Sequence, residues 1–261
     1  MVQPAHLTIA PTLARMAAIY SLTRNGGRGS PRFAAYLADV EHHWGLAAFN
    51  PMAGDAASAA VDALLRLDAE KLAQASAQNT VERCEWNQPI TLAVVVATPG
   101  MWTDRVATEV RNRTVADRRD AHGEIVLWAT DVQDTATIER ESVAETVRTM
   151  WTSLHGPTRS LHAVLAREGM AYALGRLTAP QSIVDAHINE AIEILGDTTA
   201  VGDIVGILYG DEAALALGYT PLGITERAGY HFAIDRAAAL ITRVGAAQAL
   251  RTGSAALLLH Y

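Results

Sequence analysis

The run PITLAVVVATPG, residues 89–100, constrains this chain more than any other stretch. It is apolar, rich in β-branched residues and closed by Pro-Gly, so its length and composition specify a strand. What precedes it has a different texture. Segments 11–22, 32–49 and 55–77 place apolar residues three and four apart, the repeat of helices with one buried face. A helical pattern at 101–114 leads to a second strand, GEIVLWATD at 123–131. Helical spacing then returns at 135–154, where Asp134 or Thr135 can cap the first turn, and at 158–177 after the turn His155-Gly156-Pro157. It continues through 180–195, a segment around 201–210, and 224–250. Two strands in such a frame predict one α+β domain over 1–261, mostly helical, with a small sheet enclosed by helices. Residues 1–80 form its helical N-terminal part and 88–250 its mixed part.

Composition removes several classes of function. The 28 acidic and 21 basic residues leave a formal charge of -7, which argues against nucleic acid or an anionic membrane as partner. The basic cluster Arg111, Arg113, Arg118 and Arg119 is interrupted by acids and reads as a solvated face. Half the residues are hydrophobic, far from the composition of a disordered chain. Cys84 is the single cysteine, so intrachain disulfides and thiolate-rich zinc sites are excluded, and the residue reads as a small buried hydrophobe. No secretory leader pattern opens the chain and no window resembles a membrane span, so a soluble, cytoplasmic protein is expected. NGGRGSP at 25–31 is Gly-rich but lacks the Gly-Lys-Ser/Thr ending of a phosphate loop.

Chemistry gathers in IERESVAETVRTMW, residues 138–151. A zinc peptidase helix carries His-Glu-x-x-His, in which His at i and i+4 bind the metal and Glu at i+1 acts as general base on the bound water. Here that frame reads Ala144-Glu145-Thr146-Val147-Arg148. Glu145 stands at the general-base position. Glu168, inside LAREGMAYALG, lies twenty residues beyond Arg148, where a third ligand from the next helix would stand. The histidines are absent.

The segments HGEIVLWATD, VAETVRTM and SLHAVLAREGMAYALG resemble the strand, active helix and glutamate helix of the gluzincins, the thermolysin-like peptidases. They are more similar still to a family of predicted Zn-dependent proteases known as a domain of unknown function. LYGDEAALALGYTPLGITERAGYHFAID at 208–235 continues the likeness, which spans roughly 89–240. The resemblance implies a zincin-like fold with a degenerate metal motif. It also implies a role over a transition-state oxyanion for Tyr230 or His231 on a late helix. Ala144 offers no ligand atom, and Arg148 stays cationic and repels a metal, so no zinc cofactor is expected in this frame. An inherited fold would instead set the Arg148 guanidinium against Glu168, and against Glu145 as well.

Plainer readings of the same residues stand beside this one. Glu141, Glu145 and Arg148 have the spacing of an exposed salt-bridge ladder. His155, His162 and Glu168 form an alternative ligand set, although the last two fall on nearly opposite helix faces. His42 and His43 point about 100° apart on a helix and make a poor chelate. Tyr230 and His231 also read as a core aromatic and a surface histidine. No serine has a Gly-x-Ser-x-Gly setting. The leading expectation is a non-catalytic relative of metallopeptidases that binds a peptide or protein ligand or serves as a scaffold. A hydrolase with a rebuilt metal or carboxylate site is the alternative, and a helical interaction module unrelated to peptidases is the third.

Overall fold

A computed structural model describes residues 7–22, 30–42, 49–99, 106, 109, 122–175 and 187–254. Its sheet has three parallel strands in the order β1-β2-β3: β1 (Leu7–Ala10), β2 (Ile90–Ala97) and β3 (His122–Trp128). The run that dominates the sequence is the central strand, and Leu92–Ala97 are all buried. A parallel strand covered on both faces needs apolar residues on both, which is why β2 shows no alternation. β1 was not expected. Four residues, one of them buried, carry too little pattern to stand out, and the strand exists because Leu7 to Ala10 pair in register with Ile90 to Ala93.

Among the described residues, four helices lie between β1 and β2 or beside them: α1 (Leu13–Ser21), α2 (Pro31–His42), α3 (Asp55–Arg66) and α4 (Ala69–Arg83). The expected single helix over 55–77 is two. The chain breaks at Leu67-Asp68, where Asp68 takes a left-handed φ of 53°, a conformation Asp tolerates better than most residues. The apolar repeat runs on through the break and hides it: α3 packs on α1, whereas α4 turns to cover β1 and the long helix described next. Glu70 on α4 accepts hydrogen bonds from the N–H groups of Thr12 (2.7 Å) and Leu13 (2.9 Å), capping α1 from another element.

The second half contributes α5 (Thr135–His155), α6 (Leu161–Leu174), α7 (Ile188–Leu195), α8 (Val201–Tyr209), α9 (Asp211–Ala216), α10 (Ala228–Val244) and α11 (Ala246–Arg251). Asp134 caps α5 by accepting from Thr137 N–H at 2.7 Å. The expected helix 224–250 ends earlier, because Gly245 at φ 83° redirects the chain between α10 and α11. Gly210 at φ 88° does the same between α8 and α9. Just beyond, the Asp211 carboxylate gathers the N–H groups of Leu222, Gly223 and Ile224 and holds that loop.

α5 runs through the interior with α4 on one side and α6 on the other, and it packs on β3. Every residue from Ala144 to Trp151 is buried, so this stretch is no exposed ladder. α10 lies against α6 at very close range. A Cβ on Gly169 would stand 2.3 Å from the Ala233 carbonyl oxygen, so the two backbones meet only because that side chain is absent. The expected helix at 101–114, the arginine cluster at 111–119, NGGRGSP and His43 fall wholly or mostly outside the described residues. No helix among the described residues is long and apolar enough to cross a membrane.

Candidate functional site

The helical frame of α5 and the next helix deliver three charged side chains to one buried point. Arg148 Nη2 donates to Glu168 Oε2 at 2.8 Å, and Arg148 Nε donates to the same carboxylate at 3.1 and 3.2 Å. Arg148 Nη1 donates to Glu145 Oε2 at 3.4 Å, one turn back along α5. Glu168, fully buried, receives a second guanidinium from its neighbour Arg167, whose Nε and Nη2 both stand 3.0 Å from Oε1. Among the described residues, two carboxylates and two guanidiniums thus join in one network, and their formal charges balance. Such balance is what makes a buried ionic cluster tolerable. The Arg148 guanidinium also lies over the Tyr172 ring, 5.1 Å from its centroid.

Glu145 is tied to the sheet as well. Its Oε1 accepts the N–H of Glu124 at 3.2 Å. This contact exists because the preceding residue is Gly123: a Cβ there would lie 2.6 Å from Glu145 Oε1 and 2.5 Å from Thr149 Oγ1. The bond also shows which way β3 faces. Ala129 N–H reaches back to the Ala97 carbonyl, so the odd-numbered residues bond toward β2 and the even-numbered ones turn outward. Val126, two residues beyond Glu124, therefore directs its own N–H and C=O away from the sheet.

That outward edge borders a cavity of about 820 Å³. Glu124–Trp128 of β3, Glu145 and Arg148 of α5, and Tyr172, Tyr209 and Tyr230 all line it. The tyrosines form one unit. Tyr230 packs edge-on against Tyr172 and Tyr209, with centroids 5.8 and 5.4 Å apart, and its hydroxyl donates to Tyr209 Oη at 3.2 Å. Tyr209 in turn donates to Glu109 at 3.4 Å. Arg227 lies over the Tyr230 ring, 5.2 Å from its centroid. His231 borders the cavity beside it, with Nδ1 buried and without a hydrogen-bond partner. Burial, and then the nearby Arg227 cation, push its pKa below the usual histidine range, against a smaller upward pull from Asp235 and Glu226.

Of the residues singled out from sequence, Glu145, Arg148, Tyr230 and His231 line this cavity, and Glu168 is bonded to Arg148 behind it. Ala144 is buried in the core one turn before Arg148. The alternative ligand set is not assembled: among the described residues, no group of three His, Cys, Asp or Glu side chains is placed to hold a metal ion. His155 Nε2 sits 2.9 Å from the Leu250 carbonyl, with its ring on Trp151. His162 turns to Asp197, 3.7 Å away, and its ring fills the space a side chain at Gly196 would need. Six residues on a helix carry Glu168 to the other side, which is why the two never share a site.

Four contributors were not singled out from sequence: Arg167, Gly123, Tyr172 and Tyr209. Gly123 had a signal, because a glycine inside a strand marks close approach of something else. The tyrosines had none, since an aromatic at helical spacing has the same pattern in a core as in a cavity wall. Comparison of the whole chain with protein-family models, curated proteins and solved structures finds no match in any of the three.

Proposed function

We propose that this chain is a non-catalytic, zincin-like relative of zinc metallopeptidases that binds an extended peptide segment along the outward edge of β3. The observation that carries the reading is Arg148. It stands at the second ligand position of the peptidase frame, and its guanidinium engages the carboxylates at both other functional positions, Glu145 and Glu168. A guanidinium has no lone pair to give a metal and holds the carboxylates that would face one, so the donor set does not fit zinc. The cavity persists without that chemistry. Its wall offers outward backbone groups at Val126, a donor and an acceptor at the spacing an added strand uses.

Two further observations support this reading over an unrelated helical module. β2 and β3 pair along seven residues, from Thr91 with His122 to Ala97 with Trp128, and α5 packs on both. The test uses untagged protein incubated with a pool of random decapeptides, with zinc added in one arm. Peptides should be retained, quench or shift the fluorescence of Trp128 in the cavity wall, and be recovered intact by mass spectrometry. Stoichiometric zinc together with cleaved peptides would replace this reading with the hydrolase alternative.

A further inference from the structure

Arg227 is held in a backbone conformation that its own side chain disfavours. It stands at the N-cap of α10 with a left-handed φ of 59°, a region that glycine and asparagine enter far more easily than arginine. Two glycines admit the position. A Cβ on Gly210 would stand 2.8 Å from the Glu226 Cα, and one on Gly229 would stand 2.4 Å from the Ile207 carbonyl oxygen. The chain around Arg227 therefore lies directly on the backbone of α8 and the turn that follows it. There Arg227 N–H donates to the Tyr209 carbonyl at 3.4 Å, and its own carbonyl accepts from His231 N–H at 3.1 Å. Strain of this kind persists only where the surroundings fix it, and it gathers at positions that hold ligands.

The strained residue places a guanidinium at the cavity. Its carbon lies 5.2 Å from the Tyr230 centroid, over a ring that is buried and bonded to Tyr209. A guanidinium held over a ring still carries five N–H donors in a planar fork. The other two guanidiniums that line this cavity are engaged: Arg148 donates to Glu145 and Glu168, and Arg140 to Glu141. Arg227 differs. Among the described residues, its side-chain N–H groups meet neither a carboxylate nor a carbonyl.

We infer that Arg227 anchors the occupant of this cavity by pairing with a carboxylate, supplied by an acidic side chain or by the free C-terminus of the bound peptide. The inference rests on the peptide-binding reading and specifies its ligand. The β3 edge offers backbone groups that any sequence can use, so it positions a segment without choosing one. A two-bond contact between guanidinium and carboxylate adds the choice. Glu212 and Glu226 also line the cavity and oppose an anion. Both are exposed and neither pairs with Arg227, so salt screens their repulsion while the direct contact remains.

The experiment measures fluorescence polarisation of three decapeptides against the full chain, each carrying an uncharged dye at its N-terminus. The reference is a Gln-Thr repeat ending in an amide. The second is the same repeat ending in a free carboxylate, and the third is the amide form with one central Gln replaced by Glu. At least one carboxylate peptide should bind about tenfold tighter than the reference, and which one does identifies the source. Arg227→Gln should abolish that advantage and leave the reference affinity unchanged. Arg227→Lys, a point charge without the fork, should keep part of it. Arg227→Gly should bind like Arg227→Gln and keep the fold, because glycine takes the left-handed φ without strain. Arg159→Gln removes an equal charge from an exposed site outside the cavity and should change no affinity. Circular dichroism checks that each variant is folded. Equal binding of all three peptides, with no response to Arg227→Gln, would overturn the anchoring while leaving peptide binding in place. Equal losses in Arg227→Gln and Arg159→Gln, or loss of the reference peptide along with the others in the Arg227 variants, would also overturn it. Absence of binding by every peptide would overturn the peptide reading, and this inference with it.

Discussion

Arg148 and Glu168 are twenty residues apart in sequence, on different helices, and meet in a buried bond of 2.8 Å reinforced by two more from Nε. Arg167 completes the charge balance from the other side of the same carboxylate. Removing one cation from such a cluster costs more than the cluster contributes, because an uncompensated charge is left in the interior. Arg148→Met should therefore lower unfolding free energy by about 3–5 kcal/mol in urea titrations. Adding Glu168→Gln to it should recover part of that loss. Equal stability of wild type and Arg148→Met would mean that the ion pair is not closed in solution.

Two glycines admit close approaches of different rigidity, and alanine substitution should separate them. Gly123→Ala pushes on two side-chain atoms: Glu145 Oε1 retreats by breaking its bond from Glu124 N–H, and Thr149 Oγ1 by straining its bond to the Glu145 carbonyl. A loss of about 1–3 kcal/mol is expected. Gly169→Ala pushes on the Ala233 backbone carbonyl, so α6 and α10 must separate, and its thermal midpoint should fall further than that of Gly123→Ala.

His231 supplies a pH dependence with a definite sign. Its folded pKa lies below the unfolded value near 6.5, so the unfolded state binds more protons in the window between the two. Stability should be full above about pH 6.5 and fall as pH drops through the folded pKa. His231→Gln should flatten this part of a stability–pH profile measured by chemical denaturation. An unchanged profile would assign the slope to other groups.

Cys84 should be chemically silent. Its thiol is fully buried, and burial pushes its pKa to about 11, against weaker opposing pulls from Arg83 and Arg251. A thiolate is the reactive form, so Ellman's reagent should leave the folded protein unlabelled at neutral pH and label one thiol per chain in denaturant. Rapid labelling of native protein would place Cys84 at a locally opened surface.

Much of the architecture was legible in sequence because it depends on local periodicity. The β-branched run at 89–100 contains β2, GEIVLWATD contains most of β3, and the Asp134 cap and the apolar spacing mark α5. Where the repeat continued across a change of direction, at Asp68 and Gly245, it hid the break, since periodicity reports a buried face and not where the axis points. β1 was invisible for a related reason: its four residues become a strand only through pairing with β2.

The sequence alone determined that Ala144 and Arg148 bring no metal-binding lone pair to the two histidine positions of the peptidase frame, because side-chain chemistry does not depend on the fold. It also placed Glu145, Arg148 and Glu168 at spacings that allow them to meet. Whether they formed an exposed ladder or a buried cluster was decided only by tertiary structure. The spacing of Glu145 and Arg148 on one helix is the same in both cases, and the difference is whether a second helix covers them. α6 does so, bringing Glu168 and Arg167 with it, and Gly123 lets the sheet come close enough to hold Glu145 from the opposite side.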